Sequence, residues 1–406
     1  MTTGKYPVAL TGYTRASSTT LVNRALAASV ALFITSAMLL SETAFSRVPH
    51  VIVVFLFAVL LVRSSQQPLR LRLDATLAAG GLFVIYGLSS VLWSVNQAGA
   101  LGSSISLAFD FVGAVLVWVA LQNGVSLKLV AWSAVAAATV QGIIGLNQSY
   151  VLGLARAEGL TGNANALAIQ LSLAAFLMLL AEPRKWWSNV LAVALIVVAT
   201  LTTGTRKLVF VWFAYVLLLL RSLFPLFRRP SVGAALLLLL APAAIWVSLT
   251  YGPVLGFGQA FEDVTFFQRV GDTVTEGKAT GVRSAMIADA LEVWWREPAF
   301  GHGINQYRHV GSFTTYSHNN YVELLANFGV VGTLFFYALY AVIGYRAVVG
   351  IIAGRQYAWV IMATLVVFLL MDVARVSYTD RFTWIHLLVL GLVATGEVGR
   401  PETEPG

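Results

Sequence analysis

Residues 75–94, ATLAAGGLFVIYGLSSVLWS, run for twenty positions without a charged side chain. About 20 mostly apolar residues in helical form cross the hydrocarbon core of a bilayer, whereas a helix on a soluble domain needs a polar face. Similar runs lie near 22–41, 49–63, 100–121, 127–149, 164–181, 187–203, 206–220, 232–250, 319–345, 356–374 and 382–397. With 75–94 they make twelve, of which 49–63 and 206–220 are short. The composition agrees: 58% of the 406 residues are hydrophobic and 11% charged, against roughly 25% charged in ordinary globular chains. A soluble fold of this size could not hide that much apolar surface, and disorder needs the opposite balance. No ten-residue alternating pattern suggests a barrel, and the bilayer demands internally satisfied backbone. The expected fold is therefore an all-α polytopic integral membrane protein with about twelve transmembrane helices.

Twenty-six Lys and Arg against 18 Asp and Glu give a net charge of +8. The excess sits in short loops between apolar runs, so it reads as topology and not as a nucleic-acid surface. Lys5, Arg15, Arg63, Arg70, Arg72, Lys128, Arg184, Lys185, Arg221, Arg228, Arg229, Arg346 and Arg355 fall on one side of a twelve-span arrangement. The other side holds Arg47, Arg156, Arg206, Lys207, Arg375 and Arg381. The positive-inside rule then places both termini in the cytoplasm and the long connection 251–318 outside it. The expected division is 1–250 with nine spans, 251–318 as an outer loop, and 319–406 with three spans and a short tail. The N-terminal stretch lacks an apolar h-region, so no removable signal peptide is expected. The chain has no Cys, which excludes a thiol nucleophile and thiolate metal ligands.

Within the loop, 283–297 reads as an amphipathic helix with Ile287, Leu291, Trp294 and Trp295 on one stripe, suited to lying along a membrane surface. Pro298 stops it and GHG at 301–303 supplies a turn. Ionisable groups at membrane depth are costly, so Asp110, Arg206, Lys207, Asp372, Arg375, Asp380 and Arg381 all draw notice. Asp110 fits a structural hydrogen bond to a neighbouring helix better than catalysis. Arg206 and Lys207 stand on the side where basic residues are disfavoured. They read either as interfacial anchors or as a site for an anion, for which Arg offers a bidentate fork. Arg283 opens the loop helix, where free N–H groups also favour an anion, although a solvated surface arginine is the plainer reading. His318, in TTYSHNNYVELLANFGVVG, enters an apolar span beside Ser317 and Asn319, with Glu323 further in. It is either a residue of the capping turn or the proton-transfer group of a site. No paired-His or P-loop spacing occurs, so neither a metal site nor nucleotide hydrolysis is expected.

His318-Asn319 followed after nine residues by Gly329-Val330-Val331-Gly332 resembles the H-[NSQ]-x9-G-x-x-G signature of the O-antigen ligase and polymerase superfamily. RAEGLTGNANALA (156–168), TGTRKL around Arg206, and Arg283 through GHG303 resemble three further segments of that family, in the same order. Ala164 stands where the family has proline and Thr205 where it has serine. The resemblance covers about 155–335. It implies a glycosyltransferase of the Gram-negative inner membrane, working on the periplasmic side with a glycan on undecaprenyl diphosphate as donor and no cofactor. The form of the His motif favours a ligase with lipid A–core as acceptor. An O-antigen polymerase or a protein O-oligosaccharyltransferase is the alternative, and a twelve-helix lipid or solute transporter is the alternative of another class. By resemblance Arg206 and Arg283 hold the diphosphate, Arg156 supports them, and His318 is the base or an orienting donor. Lys207, Tyr316, Asn319 and Glu323 complete the expected substrate-binding set.

Overall fold

The computed structural model describes residues 11–40, 43–183, 185–205, 208–223, 278–373 and 375–396. These form helices α1 (Thr11–Leu39), α2 (Val48–Gln66), α3 (Ala75–Ser89), α4 (Gln97–Gln122), α5 (Leu127–Leu146), α6 (Ala164–Ala181), α7 (Trp186–Thr203) and α8 (Leu208–Leu223). They continue as α9 (Lys278–Arg296), α10 (Tyr307–Val310), α11 (Asn320–Ile352), α12 (Gln356–Asp372) and α13 (Arg381–Thr395), and no strand occurs among the described residues. Eight of the helices, α1 to α7 and α11, are long and apolar enough to cross a membrane, and α8, α12 and α13 are shorter apolar helices. Each overlaps one of the expected spans. The expected span 232–250 and the loop portion 251–277 lie outside the described residues.

Polar side chains start the helices where the sequence turns apolar. Asp74 accepts from the N–H of Thr76 and Leu77, Ser126 from Leu129, and Asn163 from Asn165, which satisfies donors left free in a first turn. Gly204 and Gly396, both left-handed, end α7 and α13.

Helices α6 and α13 form the centre of the bundle. Every residue of α13 from Phe382 to Ala394 is buried, as is every residue of α6 from Leu167 to Leu180. A helix apolar on all faces belongs in such a position. His386 of α13 ties the two together, with Nε2 lying 3.0 Å from the Leu173 carbonyl oxygen. The outer helices do the reverse. Val51, Val54, Phe55, Leu61 and Val62 of α2, with Leu82 and Ile85 of α3, are exposed. Large apolar side chains left on the outside suit a protein surrounded by lipid tails, which solvate them as well as a protein interior does.

The costly charges at depth find one another. Asp110 of α4, expected to bond to a neighbouring helix, receives the guanidinium of Arg381, which also lies 3.0 Å from Nε2 of His50 on α2. Arg375 pairs with Asp380 and donates to Thr383. Arg346 of α11 reaches Asp74 at 2.7 Å. Arg63 donates to Asn23 and Asn123, clamping α2 to α1 and α4. Removing one partner of a buried pair strands the other charge, at a cost of about 3–5 kcal/mol. Asp110, Arg375, Asp380 and Arg381 are accordingly members of the helix-packing framework.

Candidate functional site

The expected span 319–345 runs on to Ile352 as α11, but it is not a continuous helix. Gly329 has φ 61° and ψ −167°, a conformation outside the helical region, so α11 breaks into an entry segment, Asn320–Phe328, and a longer remainder. A break frees backbone groups on both sides of it, and in apolar surroundings each must find a partner. The turn after α9 supplies four of these partners. His302 and Gly303 donate their N–H groups to the carbonyls of Ala326 and Asn327, at 3.1 and 2.7 Å. In return Val330 and Val331 donate to the carbonyls of Pro298 and Ala299, at 2.9 and 3.1 Å.

So close an approach leaves no room for side chains. A Cβ on Gly301 would stand 2.5 Å from the backbone of Asn327, Phe328 and Gly329. Tyr86 of α3 closes the join, its hydroxyl 3.0 Å from both the Phe300 and the Phe328 carbonyl. The glycines of P-x-x-G-x-G and G-x-x-G thus interlock two segments of backbone. Neither Tyr86 nor Asn327 was singled out from sequence, because a tyrosine and an asparagine in apolar stretches carry no pattern of their own.

That interlock holds the His318 turn. Asn319 caps α11, accepting from Tyr321 at 2.9 Å and Val322 at 3.3 Å. Glu323, buried, accepts from the Ser317 N–H at 2.7 Å and from Asn327 Nδ2 at 3.1 Å. Asn327 also accepts the Tyr307 N–H at 2.7 Å. Between these anchors His318 takes a left-handed φ of 60°, which is uncommon for a residue other than glycine and is sustained only where the surroundings enforce it. The ring of Tyr316 lies against the imidazole, centroids 4.3 Å apart. Tyr316, His318, Asn319 and Glu323 are therefore brought together. Tyr316 and His318 stay half-open, and Asn319 and Glu323 face inward.

The amphipathic helix α9 packs on this entry segment, with a register different from the expected one. Its buried stripe is Met286, Ala290 and Val293, the last two set against Tyr307, Val322 and Ala326. Ile287 and Leu291 flank the stripe, while Trp295 is exposed, its ring tilted against that of Trp294. The small Ala290 and Val293 sit at the centre of the contact, where the bulky indoles do not fit. The helix also starts earlier, at Lys278. Arg283 is exposed in its second turn and does not open it.

Asp289 of α9 grips the far end of the His318 loop, both carboxylate oxygens accepting from the Ser312 N–H at 3.1 Å. Burial works to raise its pKa, but the hydrogen bonds from Ser312 and the charge of Arg296 help to outweigh it, and the carboxyl sits below its ordinary 3.8. A lowered pKa gives stability that is complete above the unfolded value and is lost as pH falls through the folded one. Asp289→Asn is therefore expected to cost about 1 kcal/mol of stability, by the same amount at pH 6 and pH 8. Thermal melting across that range checks it, and a cost that changes between the two would contradict the assignment.

The remaining residues gather at α6 and α7. Arg156 donates from Nε to the Thr203 carbonyl at 3.1 Å and from Nη2 to Asn165 Oδ1 at 3.3 Å. Thr205 donates to the same Asn165 oxygen at 3.3 Å. The 156–168 segment and the TGTRKL turn are thus one structural unit, joined through Asn165. Arg206 and Lys207, next along the turn, lie outside the described residues.

Fold and site together define a polytopic helical membrane protein with an ordered loop locked into a broken helix. A family model described as O-Antigen ligase matches residues 190–337, consistent with the O-antigen ligase superfamily. The matched stretch runs from within α7 past the helix break and includes Arg206, Arg283 and His318; Arg156 precedes it. It supports a function of the O-antigen ligase or polymerase type in general. No curated protein matches the chain.

Proposed function

We propose that the protein is an O-antigen ligase. It transfers a glycan from undecaprenyl diphosphate to lipid A–core on the periplasmic face of the Gram-negative inner membrane, with both termini in the cytoplasm. The observation that carries the reading is His318, held half-open in a left-handed turn by Glu323 and Asn319 within the family-matched stretch. Residues 1–250 and 319–406 supply the membrane spans, and 251–318 forms the periplasmic part of the site.

The acceptor hydroxyl attacks the anomeric carbon while its proton passes to His318. The bond from that carbon to the diphosphate oxygen breaks, and undecaprenyl diphosphate leaves with the electron pair. Direct displacement inverts the anomeric configuration. Arg206 and Arg283 neutralise the growing charge, which is the electrostatic route to rate and asks for no metal. Arg156, bound to the turn that carries Arg206, sets its position, while Lys207 and Tyr316 line the substrate.

The decisive experiment supplies purified protein with a defined lipid-linked glycan and two acceptors, lipid A–core and excess donor. Glycan appearing on lipid A–core is the expected result. Lengthening of the lipid-linked chain instead would make the protein a polymerase. Uptake of the lipid into vesicles without any new product would make it a transporter.

A further inference from the structure

Arg308 was not among the residues the sequence singled out, and the reaction scheme leaves it unused. It sits on α10 directly after two immobilised residues. Gln306 is fully buried, donating to Asn96 and Ile304 carbonyls and accepting the Asn96 N–H at 2.8 Å. Tyr307 is fully buried too, its hydroxyl donating to the Met286 carbonyl and its N–H to Asn327.

The same hydrogen-bonded pair positions Arg308 and His318. Asn327 Oδ1 holds the N–H of the residue before Arg308, and Glu323 Oε2 holds the N–H of the residue before His318. Asn327 Nδ2 joins the two acceptors by donating to Glu323 Oε1 at 3.1 Å. Arg308 lies within electrostatic reach of Glu323 and of Tyr378. Yet its Nε is buried and meets no hydrogen-bond acceptor among the described residues. A buried guanidinium N–H facing no acceptor is costly, and guanidinium is the group best shaped to grip a phosphate.

We propose that Arg308 is a further phosphate-binding residue of this site, held by the same Asn327–Glu323 pair that holds the His318 turn, and that it grips a phosphate group of the substrate. The inference rests on the ligase reading. The phosphate belongs either to the lipid-linked diphosphate donor or to the phosphorylated acceptor, and the chemistry of recognition is common to both.

The test uses purified full-length protein, as wild type, Arg308→Gln, Arg308→Lys and the double variant Arg308→Gln with Glu323→Gln. Transfer kinetics are measured for each substrate, and binding of farnesyl diphosphate and of inorganic pyrophosphate is titrated separately. Arg308→Gln is expected to raise one KM by about tenfold, the effect of losing one charge-assisted contact, and to flatten its dependence on salt. Arg308→Lys should recover part of the loss. A rise in the donor KM together with weaker farnesyl diphosphate binding identifies the lipid diphosphate. A rise in the acceptor KM alone identifies the acceptor's phosphate, and either supports the proposal. Unchanged KM values for both substrates overturn it. So does full recovery in the double variant, since Arg308 would then be only the counter-charge of Glu323. Should the wild type transfer no glycan, the ligase reading fails by itself. Pyrophosphate binding by wild type against Arg308→Gln then decides the arginine.

Discussion

Gly329→Ala is expected to abolish activity through the fold, with a melting temperature far below that of the wild type. At φ 61° and ψ −167° the residue occupies a region that only glycine enters freely. A Cβ there would run into the carbonyl of Ala299 and come within 2.6 Å of the Phe300 nitrogen. Both are backbone atoms, so no rotamer relieves the clash. Conformational strain alone costs about 1–3 kcal/mol. Moving the turn away would also break the four backbone hydrogen bonds that seal the helix break, at roughly 0.5–1.5 kcal/mol each. Against a total stability of about 5–15 kcal/mol for an ordinary fold, that loss is severe. Gly102→Ala is the control: it lies in helix α4 with nothing within 4 Å of its Cβ, so the change should be neutral or slightly stabilising. Wild-type melting of Gly329→Ala in detergent would refute this account of the break.

The second large effect is chemical. His318→Asn is expected to reduce glycan transfer by about 10²–10⁴, the usual contribution of a positioned general base, while leaving the melting temperature nearly unchanged. Asparagine is the informative replacement because it tolerates the left-handed turn that His318 occupies. Alanine would add strain to the loss of the imidazole. If His318 takes the proton, the acid limb of the rate profile disappears in the variant, since imidazole is the side chain that titrates near neutrality. A variant that loses rate but keeps that limb would make His318 an orienting donor. Full activity would remove it from the site.

Much of the architecture could be read from hydropathy alone, because lipid leaves so few alternatives to an apolar helix. All the described membrane-length helices fall on expected spans for that reason. What hydropathy could not show was the break in α11. Gly329 in NFGVVG looks like any glycine in a span, and its conformation depends on Pro298–Gly303 arriving from another part of the chain. The register of α9 differs from the expected one for a related reason. Trp294 and Trp295 dominate a hydrophobicity pattern, but a close helix contact selects Ala290 and Val293. The neighbouring-helix partner expected for Asp110 could not be named from sequence, because Arg381 lies 271 positions away. The His318 motif was visible as a motif. The burial of Glu323 and the linking role of Asn327 were not, since each depends on what surrounds the side chain.

The seal between the turn and the break also limits what can be exchanged between related proteins. Grafting a foreign turn onto this helix, or a foreign helix entry onto this turn, would leave donors at 302 and 303 or carbonyls at 326 and 327 unmatched in apolar surroundings. The smallest transferable piece is the hairpin from Pro298 to Gly332, accompanied by an aromatic hydroxyl at position 86 to bridge its two carbonyls. Whatever specificity the hairpin encodes must therefore pass between chains as one block, and recombination inside it yields a protein that does not assemble.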